Sequence, residues 1–507
     1  MTERLLLLAL GAPLLAALMI AAGYVAGFNR GEAGEPFTRR LALGAAGLAL
    51  LALLAIDLAA LVSGLPGQLV AGRWLQIAGL EVMISFRLDG AGLLLANLVV
   101  FIALAVQRFS VNYLHREAGY QRFFLVLSLF TPAMLLIVTA GNAVLMFIGW
   151  ELAGVSSYLL IAWTFERPLA AGNATRAFVT NRIGDAGFLL GIFLAFQWLG
   201  GVEWPRFQAG AAGLDILSAD LLAGAFLIAA LAKSAQVPFA PWIARALEGP
   251  TPSSAIFYGS LMVHAGAFLV IRLEPLYQAA PAIMPLLMLF GVLTAGYGWL
   301  AGLVQTDVKS SLMFATTTQV GLIFLWCGLG WFNLALAHLL LHALWRAWQF
   351  LHAPALMHLL NRPQRAAPRW LTRSRTLHTA ALQRLWLDSL GDWLLSRPTR
   401  ALANDVNRFD ERVVNRLIGV PPEVAGASSL ITWEHQGVRA SGLLGRLMAW
   451  LADRLHWFED RLVLHGGGEG GMRLLRRLGH GLLEIEQLLA RPRYLLLMLM
   501  ATLVAIL

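Results

Sequence analysis

The feature that most constrains this chain is a succession of long apolar stretches, many of 18 or more residues without a charge. A helix crosses a bilayer in roughly 20 apolar residues, so each stretch is long enough to span. Hydrocarbon offers no water to backbone N–H and C=O groups, which makes the self-satisfied helix the natural spanning element here. Spans are expected near 4–26, 40–64, 88–111, 122–140, 142–164, 175–200, 220–245, 252–272, 281–303, 306–329 and 332–360. The first apolar run, 5–26, is longer than a signal-peptide h-region and reads as a first span. A last run, 494–507 (YLLLMLMATLVAIL), is short for a crossing at about 1.5 Å per residue. The expected fold class is an all-α polytopic membrane protein of about 12 transmembrane helices. Residues 66–88 break the pattern; their β-rich alternation suggests a short extramembrane hairpin.

Charge is sparse and unevenly placed. Only 13% of the 507 residues are charged, against about 25% in soluble domains. The formal charge of +9 is mostly arginine outside the spans, which is first a topology signal rather than a nucleic-acid signal. Connectors after odd-numbered spans hold Arg30, Arg39, Arg40, Arg116, Arg122, Arg167 and Arg176. Those after even-numbered spans hold little beyond Arg73, Arg206 and Arg272. Odd-numbered spans are thus expected to end in the cytoplasm, with the N-terminus outside. The single cysteine, Cys327, excludes an intrachain disulfide and a thiolate cluster. Residues 361–493 are rich in Arg and Trp and hold no run long enough to span. Within them, 388–418 alternates charged and apolar positions at helical spacing, which suits an interfacial helix or a small cytoplasmic helical appendage. The glycine run 465–471 reads as a flexible break.

Ionisable groups inside spans are expensive, so each is a functional candidate. Of the 38 basic residues only Lys233 and Lys309 are lysines, and both lie in apolar stretches. Lysine can lose its proton when buried and arginine effectively cannot. Keeping lysine at two such positions implies that they titrate. Lys233 precedes Pro238 and Pro241 (AKSAQVPFAPWI), which break a helix; broken helices at membrane depth line cavities and ion sites. Glu151, in GWELAGVSSY, is a mid-span carboxylate, and a carboxylate facing an ammonium lets one proton act on the other group. Asp185 lies near the start of span six and is placed to pair with Arg182 or to modulate Glu151. Lys309 stands among Gln305, Thr306, Asp307, Ser310 and Ser311, which fits a helix end as well as a transport path. His338, His342 and Arg346 fall at i, i+4 and i+8 on one helix face, and His264 adds a further imidazole. Histidines are natural proton shuttles, so this series reads as a hydrated proton path. There is no HExxH glutamate, no Walker A motif, no GxGxxG at a strand–helix turn and no CxxC. Neither a catalytic site nor a metal or cofactor site is expected in the chain itself; energy must come from an ion gradient or a partner.

Four motifs carry a resemblance: GWELAGVSSYLLIAW, RAFVTNRIGDAGFLLG, AKSAQVPFAPWIARALEGPTPSSAIF and LVQTDVKSSLMFATTTQVG. Over about 80–355 the chain resembles the antiporter-like subunits of respiratory complex I, most closely the largest one, and their relatives in multisubunit Na+/H+ antiporters. The resemblance implies a helical bundle of inverted repeats with broken helices, and assigns Glu151 and Lys233 as the central proton-carrying pair with Asp185 as neighbour. On this reading 1–120 holds N-terminal spans and the hairpin, 121–360 the antiporter-like proton-channel core, 361–493 amphipathic helices, and 494–507 a C-terminal membrane helix. Several departures matter. Tyr258 stands where the family has histidine, His264 where it has threonine, and Arg346 where it has lysine. After 360 the family has further spans carrying an output-side lysine.

Such a chain resembles the membrane subunit of DAB-type inorganic-carbon accumulation complexes. That implies a large cytoplasmic zinc-binding, carbonic-anhydrase-like partner driven by H+ or Na+, in a bacterial inner membrane. A proton-pumping subunit of a complex I-like or antiporter assembly, and a structural membrane scaffold, are the other readings.

Overall fold

The computed structural model describes residues 1–77, 80–359, 366–393 and 397–409. Two helices open it, α1 (Thr2–Ala26) and α2 (Gly31–Ser63). They lead into an antiparallel hairpin, β1 (Gly67–Ile77) and β2 (Leu80–Leu88), paired from Gly67↔Leu88 to Ile77↔Leu80 with irregularities at Val70/Gly72 and Arg73/Leu75. The bundle continues with α3 (Gly90–Tyr113), α4 (Tyr120–Thr139), α5 (Ala143–Ile161) and α6 (Pro168–Leu199). A short α7 (Trp204–Gly210) leads to α8 (Ile216–Lys233). Interrupted segments follow: α9 (Pro241–Arg245), α10 (Thr251–Ser253), a π-helical turn at Ser254–Ser260, a 3-10 turn at Met262–His264, then α11 (Ala265–Arg272) and α12 (Glu274–Gln278). Long helices α13 (Ile283–Gly302), α14 (Val308–Gly328) and α15 (Phe332–Leu359) complete it.

The protein is an all-α polytopic membrane protein carrying one small hairpin. Among the described residues, ten segments are long and apolar enough to cross a membrane, from Thr2–Ala26 to Val308–Gly328. The eleventh expected span corresponds to α15, and 494–507 lies outside the described residues. Caps mark several starts. The side chains of Asp89, Asn142, Asp215 and Asp307 accept from the first-turn N–H groups of α3, α5, α8 and α14, at 2.8–3.1 Å. Each satisfies one of the four orphan donors at a helix N-terminus. Glycine brings helices to backbone contact: a Cβ on Gly298 would lie 2.6 Å from the Thr318 nitrogen, so α13 and α14 meet with no side chain between them. Without a hydrophobic drive between helices in lipid, such close van der Waals packing carries association.

Hydrogen bonds sort the connectors into two faces. On one, Glu35 accepts from the Arg116 N–H (2.9 Å) and meets His115 (2.8 Å), while Arg122 donates to the Trp163 carbonyl (2.6 Å). This arginine face gathers the connectors after the odd-numbered spans. On the hairpin face, Asn142 donates to the Met83 carbonyl (2.7 Å), Ser85 (3.1 Å) and Glu203 (3.2 Å), and Ser85 donates to Glu203 (2.7 Å). Burial pushes the Glu203 carboxyl above its usual range, against the opposing hydrogen bonds.

The compact unit holding the bundle runs Met1–Ser396. Its last part contains α16 (Arg369–Arg373), α17 (Arg375–Leu382) and α18 (Leu387–Gly391). These lie against the bundle: Trp370 stacks on Trp299 at 5.5 Å, Arg245 meets Asp388 at 2.8 Å, and Arg176 meets Asp392 at 2.6 Å. A second unit begins at Arg397 with the polar helix α19 (Arg397–Phe409). The expected amphipathic region 361–493 otherwise lies outside the described residues.

Two predictions come from the hairpin face. Asn142→Ala removes a cap and three donor contacts; it should cost about 2 kcal/mol and lower the melting temperature in detergent, with Asn142→Asp intermediate. Glu203 has a raised folded value, so its contribution is most favourable below 4.5 and is lost as pH climbs through the folded value. Thermal melts from pH 4 to 8 should show that decline, and Glu203→Gln should flatten it.

Candidate functional site

The site grows from the end of α8. Pro238 has no N–H, and its ring would clash with the carbonyl four residues back, at Ser234, so a helix cannot run through 234–238. The helix stops at Lys233 itself, five residues before the first proline. Its last carbonyls are then taken up locally. Ala230 accepts from Ser234 N–H (3.0 Å), Leu231 from Gln236 N–H (2.8 Å), and Ala232 from Ala235 N–H (3.2 Å) and the Trp242 indole (2.9 Å). Val237 N–H donates to Thr294 Oγ1 at 3.0 Å, tying the break to α13. Ala235 sits in the left-handed region at φ 49°, a strained choice for a residue with a Cβ. The chain resumes as α9, with Pro241 in its first turn, where a missing N–H costs nothing.

Lys233 is buried, at 1% exposure. Its ammonium donates to the Trp150 carbonyl at 3.0 Å and lies 5.0 Å from the centre of the Trp150 ring. It also sits at the negative end of the α8 dipole. The same tryptophan donates its indole N–H to Asp185 Oδ1 at 2.8 Å. Arg182 binds Glu151 and also Asp185, the latter at 2.8 Å. Asp185 and Glu151 both act electrostatically on Lys233. The order is Glu151–Arg182–Asp185–Trp150–Lys233, drawn from α5, α6 and α8. Two glycines make room. A Cβ on Gly184 would lie 2.5 Å from Ala232 Cβ, so α6 packs directly on α8. A Cβ on Gly154 would come within 3.3 Å of Arg182 and 3.4 Å of Lys233.

A second cluster lies on the 3-10 turn that leads into α11 and on α15. His264 Nε2 meets His342 Nδ1 at 2.9 Å, and Arg346 Nε donates to His342 Nε2 at 3.4 Å. All three are buried. His338 accepts from the Trp326 indole at Nδ1 (3.1 Å) and meets Gln319 Oε1 through Nε2 (2.9 Å). The two clusters adjoin: Ser234, next to Lys233, accepts from the Ala267 N–H of α11 at 3.2 Å. Tyr258 lies in the π-helical turn, buried, with its hydroxyl 3.1 Å from that of Ser157 on α5.

Several placements differ from the sequence-based expectation. Glu151 and Lys233 are not in direct contact; Arg182 takes the glutamate and the Trp150 carbonyl takes the lysine. Span six starts at Pro168 rather than near 175, which puts Asp185 in mid-helix instead of near a start. Lys309 is in the first turn of α14, two residues past the Asp307 cap, partly exposed, and joins neither cluster. Pro238 lies inside the break and Pro241 opens α9; the Lys233 ammonium is held instead by the Trp150 carbonyl. Trp150 and the Ser157–Tyr258 pair were not found from sequence; the Trp–Glu dipeptide was the available signal for the first. No group of three or more metal-ligating side chains occurs among the described residues.

Comparison with known proteins follows the same boundaries. Residues 140–368 match the family model for the transmembrane domain of NADH:quinone oxidoreductase and Mrp antiporters, and residues 74–124 match the N-terminus of complex I chain 5. NADH-quinone oxidoreductase subunit L of Mycobacterium tuberculosis is 38% identical over 295 residues, 57% of this chain and 46% of that one. Chloroplastic NAD(P)H-quinone oxidoreductase subunit 5 of Ceratophyllum demersum is 41% identical over 284 residues, 55% of this chain and 38% of that one. The chain thus spans less than half the length of these relatives. A solved structure of the Mrp complex from Dietzia sp. DQ12-45-1b shares the fold, with TM-score 0.62 at 21% identity, covering 100% of this chain and 62% of its own.

Trp150→Phe tests the Lys233 cluster. It keeps the backbone carbonyl that holds Lys233 and deletes the indole donor to Asp185. Loss of a buried hydrogen bond to a charged group should cost about 2 kcal/mol, read as a lower melting temperature in detergent. Phe226→Leu, on the far side of Phe188 from the site, serves as a packing control.

Proposed function

Because the chain belongs to the antiporter-like membrane subunits shared by respiratory complex I and multisubunit Na+/H+ antiporters, we propose that it moves protons through the Lys233 cluster to energise a partner subunit. The observation that carries this reading is Lys233: a lysine sunk at a helix break, held by one carbonyl, with two carboxylates and an arginine within electrostatic reach. An amine in that position can exchange its proton as the carboxylates shift, because loss of the Trp150 contact or of the Asp185 charge changes the cost of keeping it charged. Arg182 has the complementary role. It stays charged and holds Glu151 and Asp185 in place while the lysine changes state. Asp185 is joined to Lys233 through Trp150, and Glu151 is joined to Asp185 through Arg182. The histidine cluster beyond Ser234 supplies the continuation toward α15.

The finer reading is that the partner is a large zinc-dependent, carbonic-anhydrase-like enzyme of inorganic-carbon accumulation in a bacterial inner membrane. Arg346 supports it: at the family's lysine position it cannot deprotonate, so proton movement past Lys233 is turned to work in a partner rather than to full transmembrane exchange. A role in a complex I-like pump or a Na+/H+ antiporter would instead require a titrating group beyond His342.

The test is gradient-dependent activity of the assembled complex in proteoliposomes. Lys233→Ala and Glu151→Gln should abolish it while assembly persists, and Lys233→Arg should fail too, since it keeps charge and loses titration. Unchanged activity in both charge-removing variants would leave only a scaffold role. Copurification with mass spectrometry identifies the partner, and a partner without zinc-ligating residues would sink the finer reading.

A further inference from the structure

We propose that Arg346 sets the hydrogen-bond polarity of the His342–His264 pair and closes that pair to proton passage toward the C-terminal end of α15. A guanidinium has five N–H donors, no acceptor, and does not deprotonate in proteins. Arg346 Nε donates to His342 Nε2, so that nitrogen must offer its lone pair and carry no proton. The proton of neutral His342 is therefore on Nδ1. Nδ1 faces His264 Nε2 at 2.9 Å, and a hydrogen bond there requires His264 Nε2 to accept. His264 in turn carries its proton on Nδ1, which is buried and makes no hydrogen bond of normal geometry. One fixed donor thus orients two rings.

His338 is the internal contrast. The Trp326 indole, also a donor only, occupies its Nδ1, so its proton is on Nε2 and points at Gln319 Oε1. His338 packs against His342 edge to face at 6.1 Å, without a hydrogen bond between them. The groups facing the pair are Arg346 and His338: Arg346 has no lone pair to offer, and His338 has its Nδ1 taken by Trp326 and its Nε2 turned to Gln319, so neither accepts a proton from the pair. A proton reaching the pair from the Ser234 side can be held but not handed on, because the next group is a cation already donating. Lysine at 346 would keep a donor that can lose its proton. Glutamine would offer an acceptor. The stop resides in the one residue that can do neither.

The polarity claim stands on geometry alone; the closure claim rests on the proton-moving reading above. The experiment separates them, using the full chain with 15N-labelled histidine in lipid nanodiscs and in proteoliposomes. Solid-state NMR should assign His342 and His264 as Nδ1–H tautomers and His338 as Nε2–H, each resonance identified by its loss in the single His→Gln variant. Arg346→Gln should let His342 populate the Nε2–H form. An Nε2–H tautomer of His342 in the unsubstituted chain overturns the polarity claim. Passive proton flux under an imposed pH gradient should rise severalfold in Arg346→Gln and in Arg346→Lys, and fall back when His342→Phe is added. A tautomer change with no rise in flux in either variant overturns the closure claim while leaving the polarity intact. Should Lys233→Ala fail to lower partner activity, the function reading is lost but the tautomer assignment still decides the first claim.

Discussion

A lysine ammonium inside hydrocarbon must be surrounded by fixed negative ends or give up its proton, and the architecture around α8 is arranged by that constraint. The helix terminates on Lys233, so the negative end of its dipole coincides with the charge. The Trp150 carbonyl, the face of the Trp150 ring and the two carboxylates complete the shell. For a carbonyl on α5 to reach a side chain at the end of α8, α5, α6 and α8 must pack closely. Gly184 against Ala232 and Gly154 beside Arg182 and Lys233 provide that closeness. Larger side chains at either glycine would push apart groups whose interaction depends on short range in a low dielectric.

The same physics explains why interruptions in the helices cluster here. A broken helix frees carbonyls that lipid cannot satisfy, so breaks survive only where protein groups take those carbonyls up. The α8 break does so with its own following N–H groups and the Trp242 indole. The π-helical turn at Ser254–Ser260 and the 3-10 turn after it are buried in the same region and carry Tyr258 and His264. Beneath the break, α18 places Asp388 and Asp392 against Arg245 and Arg176.

Much of this was legible from residue types. Long charge-free runs marked the spans, because no other soluble or interfacial use tolerates them. The alternation over 66–88 marked the hairpin, since a half-buried strand presents every second residue to one face. Lys233, Glu151, Asp185 and the histidines stood out because an ionisable group in hydrocarbon is costly wherever it points. Partners were not legible. Glu151 reads from sequence as the mate of Lys233, yet Arg182, on another helix, takes the glutamate and the Trp150 carbonyl takes the lysine. Asp185 reads from sequence as near a helix start, whereas α6 begins seven residues earlier than 175, at Pro168. By sequence Lys309 fits a path or a helix end, and the Asp307 cap places it at an end.

The sequence by itself determined which stretches enter the membrane, where a helix must break, and which buried groups can change charge. Those follow from local chemistry: hydropathy, the missing proline N–H, and the different acidities of lysine and arginine. Only the tertiary structure decided which carbonyl holds Lys233, which cation joins the two carboxylates, and which groups the ring nitrogens of His264, His338 and His342 meet. Hydrogen bonds act over about 3 Å, and only the packing of α5, α6, α8, α11 and α15 sets distances that short between residues far apart in the chain.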